Sequence, residues 1–233
     1  MASADEVVSL TDAWCIRHPS LIVISGPTFS GKSVWTKNLL RYRNELICPS
    51  PDRIVFVHGE DQPEYFRELR MLAPGIQFIK GLTQAEEMLE LDSRVKNLVI
   101  IDDLFHEALS SKWFLDLSTK SSHHKNTSVV FIVQNIFMQS KFSKTISNQA
   151  KYIVIFKNVR DINQTKYIGQ QVLGNGGGAL LNQVLQEVTN DNKFGSIVLD
   201  LHPLSNDRLR ILTGIFPHES LYPIAFEIVN KSS

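Results

Sequence analysis

The sequence predicts an α/β fold with three layers, in which a mainly parallel central sheet is covered by helices on both faces. Three observations predict it. Short apolar runs rich in β-branched residues recur along the chain, segments of helical character lie between them, and a glycine-containing loop joins the first run to the first helical segment. With 233 residues, 43% of them hydrophobic, the chain is long enough for one such domain with a substantial core.

Six apolar runs are interpreted as strands. They are continuous rather than alternating, which is typical of strands buried on both faces in a parallel sheet. The runs are residues 21–25, 53–58, 98–101, 128–133, 152–156 and 196–201.

Three intervening segments are interpreted as helices. Residues 33–44 follow the glycine-containing loop, and residues 62–72 have apolar side chains near helical spacing. In residues 83–92, Thr83 and Glu86 have the spacing of a capping box, which predicts a helix that starts at Thr83.

We expect one domain, over residues 19–223, with an N-terminal extension at 1–18 and a C-terminal tail at 224–233. The GNGGG stretch at 174–178 predicts a flexible loop before the last helix and strand. No internal repeat or second domain is predicted.

Composition limits the partners and the location. Lysine plus arginine equals aspartate plus glutamate at 24 each, so the chain is not a uniformly basic nucleic-acid coat, although a local basic patch is compatible. Cys15 and Cys48 form no metal-binding spacing and fit a reducing compartment. No apolar run approaches the roughly 18 residues of a membrane span, and the N-terminus is acidic. The sequence therefore predicts an intracellular protein with no membrane partner.

Residues 26–33, GPTFSGKS, match the phosphate-loop pattern G-x-x-x-x-G-K-[ST] in the required place between a strand and a helix. Glycines let the backbone N–H groups approach phosphate oxygens. Lys32 is predicted to reach the β- and γ-phosphates, and Ser33 to bind Mg²⁺. The loop thus predicts a site for a nucleoside triphosphate with Mg²⁺, and it does not by itself distinguish a kinase, a switch and a motor. The cofactors expected for the whole chain are ATP and Mg²⁺. The predicted nucleotide contacts are Gly26, Pro27, Thr28, Phe29, Ser30, Gly31, Lys32, Ser33 and Val34.

Two acids, Asp102 and Asp103, end the apolar run LVII, at the sheet edge where ligands of parallel α/β sheets lie. Asp102 suits the second Mg²⁺-holding position, and Asp103 is placed to orient or deprotonate an attacking water. A metabolite kinase would use that space for its acceptor, so Asp103 favours hydrolysis. The alternative is a pair of helix-capping aspartates.

Gln134 directly follows the run at 128–133. If that strand lies between the strands of the phosphate loop and of Asp102, the Gln134 amide faces the γ-phosphate and the attacking water. The alternative is a polar residue that merely ends a strand.

Together, GPTFSGKS, LVIIDD, SSHHKNTSVVFIVQN, TISNQAKYIVIFKNVRD and SIVLDLHP resemble the FtsK–HerA class of P-loop ATPases. More narrowly, they resemble the genome-packaging ATPases of Polinton-like and adintovirus-like elements, which are related to the poxvirus packaging ATPase. The resemblance runs from about residue 20 to about residue 220, and its most specific stretches are 121–161 and 196–219.

This resemblance implies a RecA-like (ASCE) fold and a ring of five or six copies that threads double-stranded DNA into a capsid by ATP hydrolysis. The implied partners are DNA, further copies of the chain and a capsid or portal-vertex protein. The implied location is the nucleus or cytoplasm of an infected cell, or the virion.

The resemblance also implies an arginine that a neighbouring subunit inserts beside the γ-phosphate. Arg160 in FKNVRD is the candidate, and the alternative is an ordinary surface pair of Arg160 with Asp161. Lys144 stands where relatives are expected to carry arginine, and lysine lacks the planar fork that makes arginine suited to this role.

Two basic clusters are candidates for contact with DNA phosphates, which would be salt-dependent and insensitive to sequence. The alternative is that both are solvated loops. Their members are Lys120, His123, His124 and Lys125 in one, and Lys141 and Lys144, with Phe142 between them, in the other.

Two other classes share a phosphate loop. A small-molecule or nucleoside kinase would need an arginine-rich lid, and a GTPase would need an [NT]-K-x-D element; neither is found. The kinase stays the alternative to a DNA-translocating ATPase.

Overall fold

The computed structural model describes residues 14–119, 124–135, 145–146, 148–160 and 162–226. The predicted DNA-contact residues Lys120, His123, Lys141, Phe142 and Lys144 lie outside these ranges, as does Asp161. Over the described ranges, no helix has the length and apolar character needed to cross a membrane.

The core of the molecule is a sheet with nine strands in the described residues. The strands are β2 (Leu21–Ser25), β4 (Arg53–His58), β5 (Gln77–Lys80), β6 (Asn97–Asp102), β7 (Thr127–Val133), β8 (Tyr152–Phe156), β9 (Ser196–Asp200), β10 (Ile211–Thr213) and β11 (Ile224–Ala225). Their order in the sheet is β11-β10-β9-β8-β2-β7-β6-β4-β5. All pairs from β8 to β5 are parallel, whereas β8–β9, β9–β10 and β10–β11 are antiparallel.

Eight helices of the described residues pack against this sheet or connect its strands. They are α1 (Lys32–Arg41), α2 (Arg43–Leu46), α3 (Pro63–Leu72), α4 (Leu82–Met88), α5 (Phe105–Ser110), α6 (Lys112–Thr119), α7 (Ile162–Leu173) and α8 (Gly177–Asp191).

Two hydrophobic cores lie on opposite faces of the sheet, because successive side chains of a strand point to opposite faces. In β2, Val23 belongs to one core and Ile22 to the other. The first core holds buried side chains of α4, α6, α7 and α8, and the second holds those of α1 and α3. This is the predicted three-layer α/β fold with a mainly parallel sheet, and covering both faces explains why the strand runs are continuously apolar.

Five of the six predicted strands belong to the parallel part of the sheet, with ends that differ from the prediction by at most one residue. The sixth, β9, was expected there too but runs antiparallel to β8. Its apolar run carries no sign of direction, since burial on both faces gives the same pattern in either orientation.

Two helix predictions are corrected. The capping box at Thr83 is wrong: α4 begins at Leu82 with Gly81 as its N-cap, and the Leu82 N–H donates to the carboxylate of Glu107 at 2.9 Å. The helix predicted over 33–44 is interrupted at Tyr42, between α1 and α2.

The stretch at 174–178 is not wholly a loop, because α8 begins at Gly177. Helices α7 and α8 form a close-packed hairpin here. A Cβ atom at Gly169 of α7 would lie only 2.3 Å from the carbonyl oxygen of Gly177. The glycines allow backbone-to-backbone contact between the two helices.

A small parallel sheet pairs β1 (Ile16–Arg17) with β3 (Ile47–Cys48) beside the main one. The domain limits at residues 19 and 223 stay predictions. Strand β1 precedes residue 19, and strand β11 follows residue 223, so both paired strands fall outside the predicted domain limits.

We expect Gly169→Ala to lower the free energy of unfolding by about 2 kcal/mol, measured by urea unfolding. Helix propensity alone would favour alanine by about 1 kcal/mol. Overpacking opposes it, because the new methyl would meet backbone atoms of Gly177 and Gly178 at 2.3 to 2.6 Å.

Gln170→Ala is the matched control, since Gln170 is exposed on the same helix and should change stability by no more than about 0.5 kcal/mol. A Gly169→Ala protein as stable as the wild type would contradict the close packing of the hairpin.

Candidate functional site

Strand order brings the predicted site residues to one edge of the sheet. β7 lies between β2 and β6, as the interpretation of Gln134 required. In register, Ser25 at the end of β2 pairs with Val133, and Asp102 pairs with Ile132. The phosphate loop, Asp102 and Gln134 therefore leave three neighbouring parallel strands at the same edge.

A cavity of about 520 Å³ lies at this edge and holds most of the predicted residues. Those that line it are Thr28, Phe29, Ser30, Gly31, Lys32, Ser33, Val34, Asp102, Asp103 and Gln134. Sequence reasoning did not find its four other lining residues, Gln62, Ile132, Val133 and Phe194. Gly26 and Pro27 do not line the cavity, but their carbonyl oxygens accept hydrogen bonds from Lys32.

The conformation of the loop requires glycine at two positions. The Gly26 N–H donates to the carbonyl of Val133 at 3.2 Å, and a Cβ atom at Gly26 would lie 2.7 Å from the Cβ of Phe156. Gly31, the N-cap of α1, has φ of 112°, a left-handed conformation that L side chains rarely adopt. The loop thus curves tightly over the end of β2.

The Lys32 ammonium is held by the loop itself. Its Nζ donates to the carbonyl oxygens of Gly26 at 2.6 Å and of Pro27 at 2.8 Å. Burial lowers the pKa of Lys32, and the charges of Asp102 and Asp103 oppose that change. A cation thus faces two acids in one cavity.

Asp102 is the more perturbed of the two acids. The pKa of Asp102 is raised to about 6, mainly by burial and also by the nearby charge of Asp103, while the charge of Lys32 acts in the opposite direction. A half-buried carboxylate next to another acid is suited to binding a cation, which would offset both effects.

Asp103 and Gln134 are exposed at the mouth of the cavity. Asp103 has φ of 57°, the left-handed region that aspartate tolerates better than most residues. This turn in the backbone directs the chain out of β6 immediately after Asp102. Both side chains are accessible to a water molecule in the cavity.

Arg160 does not line the cavity. It is exposed in the turn after β8, where its backbone N–H donates to Oδ1 of Asn158 at 3.0 Å. The structure therefore does not bring Arg160 to the phosphate loop of its own chain.

Of the first basic cluster, only His124 and Lys125 are described. His124 is exposed, whereas Lys125 is half-buried and its carbonyl accepts a hydrogen bond from the Thr127 hydroxyl at 2.8 Å. Contact of this segment with DNA stays a prediction.

The sequence analysis found site residues by looking for polar side chains directly after a predicted parallel strand, and neither Gln62 nor Phe194 has that position. Gln62 precedes α3 rather than following a strand directly, and Phe194 precedes β9. Because β9 is antiparallel, its amino end lies at this edge of the sheet. A residue that comes before β9, such as Phe194, therefore reaches the site.

No family model and no curated protein sequence matches the chain. Among solved structures, the genome packaging NTPase B204 from Sulfolobus turreted icosahedral virus 2, in complex with ATP-gammaS, is similar over 84% of this chain and 96% of its own, at 11% identity and a TM-score of 0.47.

The KaiC-like protein PH0186 from Pyrococcus horikoshii OT3 is similar over 93% of this chain and 98% of its own, at 10% identity and a TM-score of 0.46. The flagellar accessory protein FlaH from Methanocaldococcus jannaschii is similar over 66% of this chain and 77% of its own, at 15% identity and a TM-score of 0.44. Likenesses at this level say nothing about activity, which must be argued from the site.

Asp102→Asn should stabilise the chain at pH 8 and not at pH 4, in the absence of Mg²⁺ and nucleotide. The pKa of Asp102 is raised to about 6 by burial, so the folded chain disfavours its charge, and stability is lost as pH rises from about 4 through 6. Asparagine carries no charge. Allowing for the partial exposure of the site, we expect a gain of about 1 to 2 kcal/mol above pH 7 in urea unfolding.

Glu187→Gln, on the exposed face of α8, is the matched control, and as an exposed substitution it should change stability by no more than about 0.5 kcal/mol. An Asp102→Asn protein less stable than the wild type at pH 8 would contradict the unfavourable burial of this charge.

Proposed function

We propose that this chain is an ATPase that couples ATP hydrolysis to translocation of double-stranded DNA, as a homo-oligomeric ring of five or six copies that packages a viral genome into a capsid. One observation carries the hydrolytic part of the proposal: Asp102, Asp103 and Gln134 line the same cavity as Lys32 and Ser33. A phosphate loop with only a metal-holding acid would fit a kinase equally well.

The donors present fit a triphosphate with Mg²⁺. The Ser33 hydroxyl and the Asp102 carboxylate are oxygen ligands, which Mg²⁺ prefers. The hydroxyl oxygen of Ser30 is buried in the loop with no hydrogen-bond partner among the described residues, so it is able to donate to a phosphate oxygen. Mg²⁺ held there would neutralise charge that develops on the phosphates.

The other side chains of the cavity have separate proposed roles in phosphate binding and in the activation of water. Lys32, fixed by two loop carbonyls, contacts the β- and γ-phosphates, and the loop N–H groups bind their oxygens. Asp103 orients an attacking water or accepts its proton. Gln134 donates from its amide to the γ-phosphate or to that water, and thereby senses whether the γ-phosphate is present.

The proposed ring is supported by the small number of basic side chains that one chain supplies to its cavity. Lys32 is the only basic side chain among its described lining residues. Hydrolysis benefits from a second cation beside the γ-phosphate, commonly an arginine supplied by another subunit. Arg160 is exposed and does not reach its own cavity, which is the placement that a residue acting on a neighbour requires.

DNA as the substrate rests on the resemblance of residues 121–161 to packaging ATPases and on the basic clusters, of which the structure describes only part. With zero formal net charge, contact must be local. The kinase alternative gains no support, because no described arginine lines the cavity as a lid would.

ATP turnover per chain is expected to increase with protein concentration and to increase again on addition of long double-stranded DNA. The reason is that each active site would be completed by a second chain, and DNA would hold the chains together. The measurement is steady-state phosphate release across a concentration series with and without DNA. Turnover that is flat and indifferent to DNA would contradict the proposal and direct attention to a phosphoryl acceptor.

Arg160→Ala should bind ATP normally and lose at least tenfold in turnover, a conservative share of what such an arginine contributes. Lys32→Ala should be inactive because its loop no longer neutralises the phosphates. Mixing the two inactive proteins should restore turnover, since a Lys32→Ala chain can supply Arg160 to the intact loop of its neighbour.

Arg94→Ala, which removes another exposed arginine, is the control and should behave like the wild type. If the mixture stays inactive while both variants still assemble with wild-type chains, Arg160 does not act on a neighbour.

A further inference from the structure

Three exposed apolar side chains line the same cavity as the charged residues. Phe29 is 93% exposed, Phe194 is 61% exposed and Val34 is 55% exposed. Exposed apolar carbon is common on a protein surface, but three such side chains in one cavity with Lys32 and Asp102 indicate a ligand that is apolar at one end and ionic at the other.

Phe194 owes its position to the direction of β9. Because β9 is antiparallel to β8, its first residue, Ser196, pairs with the last residue of β8, Phe156. The turn before β9 therefore lies at the edge where the phosphate loop begins. A Cβ atom at Gly31 would lie 3.3 Å from the Cβ of Phe194, so the two segments are in contact.

The turn that carries Phe194 is held firmly. The Phe194 N–H donates to Oδ1 of Asn192 at 3.0 Å, and the Gly195 N–H donates to the Asn192 carbonyl at 2.8 Å. Gly195 also packs against α8, where a Cβ atom would lie 2.6 Å from the carbonyl oxygen of Val188. The backbone of an exposed aromatic residue is thus preorganised, which lowers the entropic cost of binding a ligand.

Phe194 and the acids lie on opposite sides of the phosphate loop. β9 is two strands from β2 in one direction and β6 is two strands from it in the other. At about 4.8 Å between neighbouring strands, β9 and β6 each lie about 10 Å from β2, on opposite sides of it. A nucleotide whose phosphates lie on the loop, with the γ-phosphate towards Asp102 and Asp103, directs its other end towards Phe194.

We propose that Phe194 is the nucleobase-binding residue of this site and stacks on the base, with Phe29 and Val34 adding apolar contact. This inference rests on the proposed nucleotide hydrolysis and adds the residue that binds the base of the same nucleotide. Stacking uses the π-face that every base has. The Phe194 side chain has no hydrogen-bonding atom, so it adds affinity for adenine and guanine nucleotides alike.

The test compares a ligand that has a base with one that lacks it. Binding of Mg²⁺·ATP and of inorganic tripolyphosphate is measured by isothermal titration for the wild type, Phe194→Ala, Phe194→Tyr and Leu221→Ala. Leu221 is a matched control because it is 91% exposed and does not line the cavity.

Phe194→Ala is expected to weaken ATP binding about tenfold, as loss of one aromatic–base stack would. Tripolyphosphate binding should stay within about twofold of the wild type, because it contacts only the loop side. Phe194→Tyr, which keeps the aromatic face, should restore ATP binding, and Leu221→Ala should bind both ligands normally.

Two results would overturn the inference. ATP affinity within twofold of the wild type in Phe194→Ala would show that the base does not contact this side chain. Equal weakening of ATP and tripolyphosphate would show that Phe194 acts only through its packing beside Gly31. A wild-type protein that binds neither ligand would instead overturn the proposed function itself, and this inference with it.

Discussion

The backbone pairing that places β7 between β2 and β6 is the constraint on which the rest of the site depends. The pairs Ser25–Val133 and Ile132–Asp102 align the ends of three parallel strands. The Gly26 N–H extends the ladder by one more bond, to Val133. Because these bonds are buried, a shift of register would leave backbone groups unpaired and would separate the loop from its acids.

Several features of the site lower the stability of the folded chain, and the surrounding structure keeps them in place. Asp102 is half-buried beside another acid, and Phe29 and Asp103 have positive φ angles of 63° and 57°. Left-handed backbone costs a non-glycine residue roughly 1 kcal/mol or more. The two apolar cores, one on each face of the sheet, outweigh these unfavourable terms.

The cavity divides a nucleotide into parts that different elements recognise. In the proposed function, α1 and its loop contact the phosphates, β6 and β7 supply the groups that act on metal and water, and the turn before β9 supplies an aromatic face. The antiparallel arm of the sheet contributes the proposed base contact, while the parallel part contributes the proposed chemistry. The proposed second cation, Arg160, would come from another copy, which makes turnover depend on assembly.

The sequence by itself determined six of the nine described strands of the main sheet, the phosphate loop and the candidate acids, since these follow from local patterns. The patterns are continuous apolar runs, one spaced motif, and polar residues directly after a run. Tertiary structure decided the rest. The direction of β9, and with it the place of Phe194, depends on which strand it pairs with. The start of α4 depends on Glu107, 25 residues further along. Such contacts join residues distant in the chain, so no local pattern of residues records them.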